Sequence, residues 1–326
     1  MAKHGRTYAN ESEKSYRLGV FTRNLDYVNA FRQAGKHSYT LGLNGFADLT
    51  NEEFLATYTM TIRLSPSDGF YPGSKPFRYA NAIAPSSIDR RDKGAVTRVK
   101  KHRKRGKGSS SSCSSSIPIH LIIRGPYRLW STPFVSVHGT GRRLLGILCS
   151  SIDRRHQQDR DGEPDIFDDN DDGCSGGLHY RASSYAIDNG GITTEENYPY
   201  QPDQVASDDT KESDYDATIT GYEIVPTKDE KSLMNAVANQ PVSVAIDSHE
   251  IQFYSGGIYD GPCGTNLNHE VTLVGYDTDE DGTAFWIAKN SWGTAWGESG
   301  YILLAKDVAE TEGRCGLAIR ASYPVI

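Results

Sequence analysis

Asn268-His269-Glu270 and, further along, Lys289-Asn290-Ser291-Trp292-Gly293 decide how this chain reads. A His followed at that distance by an Asn, with a Trp beside the Asn, can hold an imidazole in one tautomer. The Asn oxygen accepts one ring N–H, and the indole shields that bond from water. The other ring nitrogen is then free to take a proton from a nucleophile. The nucleophile is expected around Gly108. There the chain has a basic run, Arg98 to Lys107, and then serines at Ser109–Ser116 broken only by Cys113, with no catalytic motif.

Length and composition set outer limits. A chain of 326 residues, 37% hydrophobic, holds a large core, as one big domain or as two plus a leader. The net charge of −7 argues against wholesale nucleic-acid binding. No apolar run is long enough for a membrane span. Five cysteines leave at least one thiol without an intramolecular partner. The opening Met1-Ala2-Lys3-His4-Gly5-Arg6 carries no secretory signal, so either the chain is cytosolic or its true start lies upstream.

Periodicity predicts an amphipathic helix over 11–32, with Tyr16, Val20, Tyr27, Val28 and Phe31 on its apolar face and Gly35 as the stop. Residues 39–44 read as a strand. Thr50 and Glu53 make a capping-box start to a second helix. Residues 64–87, rich in Pro, Ser and Gly, read as an exposed linker. Helices are expected over 180–187 and 229–239, and strands over 240–246, 270–276, 285–289 and 301–305. The C-terminal part is therefore β-rich. Residues 98–165 offer no capped amphipathic helix.

These landmarks together resemble the papain-like cysteine proteases, of the plant type with an inhibitory propeptide. Glu13, Arg17, Phe21, Asn24 and Val28 match the helical propeptide signature, with Arg32 where Asn is usual. Gly42, Asn44, Phe46 and Asp48 match its second motif. The resemblance implies a propeptide over 1–83 and a peptidase domain over 84–326, beginning near Ala84–Ser87. Asp89–Thr97 is similar to the family's N-terminal segment, with Arg90 where Trp is expected. Gly173–Gly177 matches the cysteine and glycine pair of the substrate cleft, with Gly176 and Gly177 as its edge. His269, Asn290 and Trp292 match the catalytic base, its orienter and the shielding indole. The implied fold is α+β: a helical left domain and a β-barrel-like right domain with the cleft between. No cofactor or metal is implied, and the partners are peptide or protein substrates and the chain's own propeptide. A monomer is expected, secreted, vacuolar or lysosomal.

One interval departs from the family. After Val99-Lys100 the family continues with a Gln, a disulfide Cys, and a nucleophilic Cys followed by Trp. Counted forward, those positions hold His102, Arg105 and Gly108. The left domain is expected to be disrupted over 98–170, and a shifted reading frame or misjoined exon explains this most simply. Sequencing the transcript across these codons checks that. Cys113 has no helix signal and no Trp neighbour, so it reads as an incidental cysteine. The family pattern pairs Cys263 with Cys315. Cys174 has lost its expected partner, and Cys113 or Cys149 remain alternatives. Glu270 stands where a small residue is usual and is expected to raise the imidazole pKa if it faces inward.

Three weaker signals have plainer readings. Asp168-x-Asn170-x-Asp172-Gly173 and Asp277-x-Asp279-x-Asp281-Gly282 imitate calcium loops, but His179 and Ala288 stand where the twelfth ligand should be Glu. The second reads as a hairpin turn. The basic run lacks the aromatic interleaving of a nucleic-acid site. Asn10-Glu11-Ser12 is a glycosylation sequon in the leader.

Overall fold

A computed structural model describes residues 6–60, 74–94, 96, 98, 99, 101, 177–192, 215 and 217–326. The first element, α1 (Glu11–Gln33), starts where Asn10 Oδ1 accepts the Glu13 N–H at 2.9 Å. Its packed face is narrower than the periodicity suggests. Val20 and Val28 are fully buried, but Tyr16 and Tyr27 remain 51% exposed. The helix is held by polar contacts as well: Arg17 pairs with Glu53 at 2.6 Å, and Asn24 Nδ2 donates to Ala47 O and Leu49 O. These contacts orient α1 over a thin layer made of β1 (Tyr39–Leu41) and α2 (Asn51–Tyr58), too thin to cover every apolar position. The expected strand over 39–44 is thus only its first half. The capping box of α2 forms as expected, with Glu53 N donating to Thr50 Oγ1 and Thr50 N to Glu53 Oε2.

The other elements are β2 (Ser74–Lys75), β3 (Ile88–Asp89), α3 (His179–Asp188), β4 (Gly221–Ile224), α4 (Glu230–Asn239), β5 (Val242–Ile246), β6 (Tyr254–Tyr259), β7 (His269–Thr278), β8 (Ala284–Lys289), β9 (Tyr301–Ala305) and β10 (Ala321–Val325). One mixed sheet runs β1-β6-β9-β8-β7-β5-β10-β4-β2, and β3 pairs with β7 off this path. Its middle is dry: β5 is buried along its whole length, as is β7 from His269 to Tyr276. The alternation and β-branching expected over 240–246 lie on this strand, with Ser243 buried among its apolar residues. Where β3 crosses β7, Gly275 lets the strands touch, since a Cβ there would lie 2.1 Å from Ile88 O.

The leader is part of this sheet. β1 adds antiparallel to β6, and β2 adds parallel to β4. Residues 74–85, expected as exposed linker, do lie at the surface, with Ile83 97% exposed, but several of them are anchored to the sheet. The Tyr79 ring packs tilted against Tyr323, and Tyr276 OH donates to Pro85 O. Arg90, where the resemblance led us to expect Trp, is 1% exposed. It donates to Val237 O and Ala238 O, carbonyls in the last turn of α4 that have no partner within the helix. Burial holds its guanidinium down to about 10. The turn after β7 is a hairpin, as read: Asp279 Oδ1 accepts the N–H groups of Asp281 and Thr283. Cys263 and Cys315 form a disulfide. Among the described residues no helix is long and apolar enough to cross a membrane. The interval 98–170, its basic run and the first acidic loop lie outside the described residues, apart from residues 98, 99 and 101.

Candidate active site

His269 opens β7 and is wholly buried. Its Nε2–H donates to Asn290 Oδ1 at 2.8 Å. That bond leaves Nδ1 as the lone-pair nitrogen of the neutral ring, a tautomer assigned from the network. Among the described residues Nδ1 has no hydrogen-bond partner. Asn290 is placed by its backbone, which donates to Gly300 O just after β8 ends. Its Oδ1 also accepts Ser291 N at 2.6 Å, which fixes the amide orientation. The Trp292 ring stacks on the imidazole with centroids 4.5 Å apart and 23° between planes. Trp296, Phe54 and Phe46 meet that indole edge-on, so the Nε2 bond sits under an aromatic lid. The three sequence-predicted residues His269, Asn290 and Trp292 are thus brought together.

Burial pushes the His269 imidazole down to about 4, against a smaller opposing effect of the Asn290 bond. Glu270 does not raise it. Successive strand residues face opposite sides, and the Glu270 carboxylate turns to α3. There Oε1 accepts His179 Nδ1 at 2.8 Å and His179 N at 3.3 Å. Both side chains are almost fully enclosed, at 3% and 0% exposure. In the sequence His179 stands out only as the wrong residue for a calcium ligand; its place two residues past the cleft-edge Gly177 is the signal for its role here. Gly177 is itself buried. Gly176, Cys174, Cys113, Cys149 and the Gly108 position lie outside the described residues. The N-terminal segment does reach the site, because the backbone of Lys101 bridges to Trp292.

A neutral buried histidine has a linkage consequence. An exposed imidazole in the unfolded chain titrates near 6.5, and the folded one near 4. Between these values the unfolded state binds more protons. Stability therefore falls as pH drops from about 6.5 to about 4 and levels off below, by about 3 kcal/mol for this group. Urea unfolding at pH 7, 5 and 4 checks this, because His269→Gln should flatten that part of the pH dependence. Equal slopes in both proteins would refute it.

The leader closes over the same residues. Trp292 Nε1 donates to Tyr58 O at 3.3 Å, and Met60 N donates to Asn268 O at 2.8 Å. The Met60 side chain is buried with Leu178, Tyr180, Ala245 and Leu267. Residues 162–325 match the model of the papain family cysteine proteases, and residues 1–54 match the cathepsin propeptide inhibitor domain. The chain belongs to the papain family. It is 41% identical to the senescence-specific cysteine protease SAG12 of Arabidopsis thaliana, over 100% of this chain and 88% of that one. It is 36% identical to fruit bromelain of Ananas comosus, over 100% and 84%. Among solved structures, a recombinant stem bromelain precursor superposes with a TM-score of 0.76 at 34% identity, covering 100% of this chain and 96% of that one. The proform of the ragweed pollen allergen Amb a 11 gives 0.74 at 33%, covering 100% and 92%. The papain-like α+β fold, with its own propeptide inhibitor domain in the chain, is therefore shared with a precursor and a proform.

Proposed function

We propose that this chain carries the general-base half of a cysteine-type endopeptidase and, as written, turns over peptides slowly or not at all. The observation that carries the first part is the Nδ1 of His269, unpartnered among the described residues, with its ring oriented by Asn290 and roofed by Trp292. In such a site Nδ1 takes the proton of a thiol, the thiolate attacks the peptide carbonyl, and the imidazolium returns that proton to the leaving amine. A thioester remains, and water activated by the same nitrogen hydrolyses it. Asn290 keeps the ring in the tautomer both steps need, and the family resemblance assigns the cleft edge to Gly176 and Gly177.

The second part rests on the residue near which the thiol should stand, Gly108, and on the lack of a Cys-Trp pair at Cys113. Loss of the nucleophile from such a constellation costs several powers of ten in rate. The recombinant chain with its leader removed is expected to hydrolyse a fluorogenic peptide no faster than a His269→Ala variant. Turnover that a thiol alkylator blocks and His269→Ala abolishes would overturn the inactive reading.

A second reading has its own support. The leader is bound through side chain to backbone: Asn44 Nδ2 donates to Gln252 O, and Gln252 Nε2 to Phe46 O and Leu49 O. Residues 1–83 then act as an inhibitor of related cysteine proteases, and inhibition of one such active protease by that segment favours this reading. The Cys263–Cys315 disulfide supports a secreted, vacuolar or lysosomal location.

A further inference from the structure

We infer that the outer edge of β4 carries a second peptide-binding site, separate from the cleft, that takes an extended segment with an arginine between two aromatic rings. In this chain residues 74–79 fill it. The inference rests on the division of the chain into a propeptide over 1–83 and a peptidase domain over 84–326.

The site is built from the peptidase side. The Glu223 side chain on β4 is 2% exposed. Tyr323 OH of the neighbouring β10 donates to its Oε2 at 2.5 Å. Burial, and then the Glu223 carboxylate, push the Tyr323 hydroxyl well above the ordinary tyrosine range, so it stays a donor. One donor does not satisfy a buried carboxylate. The rest comes from the leader: Arg78 Nε reaches Oε1 at 2.6 Å, and Arg78 N reaches Oε2 at 2.9 Å. Among the described residues Arg78 is the ion-pair partner of Glu223.

The flanks fit the same segment. Phe77 and Tyr79 both lie against Tyr323, with centroids 6.3 and 5.4 Å from it. Asn235 Nδ2 donates to Tyr79 O at 3.3 Å. Upstream, β2 pairs with β4 as Ser74↔Tyr222 and Lys75↔Glu223. The stem of Lys75 crosses Gly221, where a Cβ would lie 2.6 Å from it, and its ammonium reaches Thr220 Oγ1 at 2.9 Å. Backbone pairing, one buried charge and two ring contacts together define an occupant by sequence: Phe77-Arg78-Tyr79 in extended form. The cleft is elsewhere, since β5 and β10 lie between β4 and the strand that begins with His269. Three strand spacings amount to about 14 Å. Cutting the chain near 84–87 severs the connection without touching these contacts, so the freed segment stays bound until something of the same chemistry displaces it.

The test uses the full chain. Trypsin should cut after Arg78 at least about tenfold more slowly than after Lys36, which is exposed between α1 and β1. Glu223→Gln, or Tyr323→Phe if the first variant fails to fold, should erase that protection and leave the Lys36 rate unchanged. In a chain carrying Phe77→Ser, Arg78→Ser and Tyr79→Ser, a labelled synthetic peptide of residues 74–80 should bind saturably. Adding Glu223→Gln should weaken it at least about tenfold. Equal trypsin rates in wild type and variants, no binding up to about 1 mM peptide, or binding indifferent to Glu223 would overturn the proposal. None of these readouts needs peptidase activity, so their failure leaves the endopeptidase reading intact.

Discussion

Glu270→Ala is expected to destabilise the folded chain by about 2–5 kcal/mol, the cost of leaving buried hydrogen-bond donors without an acceptor and of the void beside them. The carboxylate is wholly enclosed, and one of its oxygens holds both the ring and the backbone N–H of His179. That pair ties the first turn of α3 to the middle of the sheet, where Glu270 faces Ala245 across β5. Without the acid, two donors of His179 lose their acceptor, and the void left by the shortened side chain adds to the loss. Glu270→Gln keeps the shape and an acceptor oxygen, so its cost should be well below that of alanine. Replacing both partners by leucine removes the polar demand altogether and should recover much of the stability. Urea unfolding of the single and double variants measures the coupling directly. A loss under about 1 kcal/mol for Glu270→Ala would mean the pair contributes nothing beyond packing.

The same residue shows where sequence reading stopped. His269, Asn290 and Trp292 were legible because one strand and the loop after its neighbour carry them, in an order that few other arrangements need. The capping box of α2 was legible because its bonds join residues three apart. The partner of Glu270 lies 91 residues away, on a helix whose own pattern says nothing about an acid. Arg78 and Glu223 are 145 residues apart, and a Pro, Ser and Gly composition masked the docking of the segment that carries Arg78. Five strands were missed; β2 and β3 are two residues each, too short for any pattern, and the other three were hidden for local reasons. Gly256 and Gly257 interrupt β6, Pro324 sits inside β10, and the Gly221–Ile224 tetrapeptide of β4 is too short to show alternation. The sheet supplies these strands with neighbours, and pairing overrides weak propensity. The half-exposed Tyr16 and Tyr27 make the converse point: an apolar period in α1 overstates burial where little protein is available to cover it.

Removing the disulfide with Cys263→Ser and Cys315→Ser together should cost about 4 kcal/mol, as loop-closure entropy predicts for a cross-link of this span. The two cysteines are 52 residues apart, and the loop they close contains β7, β8 and β9. In the unfolded chain that loop confines the segment bearing His269, Asn290 and Trp292. In the folded chain the bridge acts on the 3-10 turn at Arg314–Gly316, where Cys315 holds a left-handed backbone conformation with φ of 59°. Cys315 O accepts the Asp247 N–H at 2.8 Å just beyond β5. Asp247 Oδ2 in turn accepts Asn266 N, close to the start of β7. The cross-link thus restrains the strand end that delivers His269 as well as the unfolded ensemble. The double variant is preferred to either single one, because a lone serine would leave an unpaired thiol, half-buried in the case of Cys263, able to mispair with Cys113, Cys149 or Cys174. Equilibrium unfolding of wild type and double variant, with and without reductant, separates the possibilities. Reductant should bring the wild type down to the variant and leave the variant unmoved. A variant as stable as the oxidised wild type would show that the bridge restrains neither state.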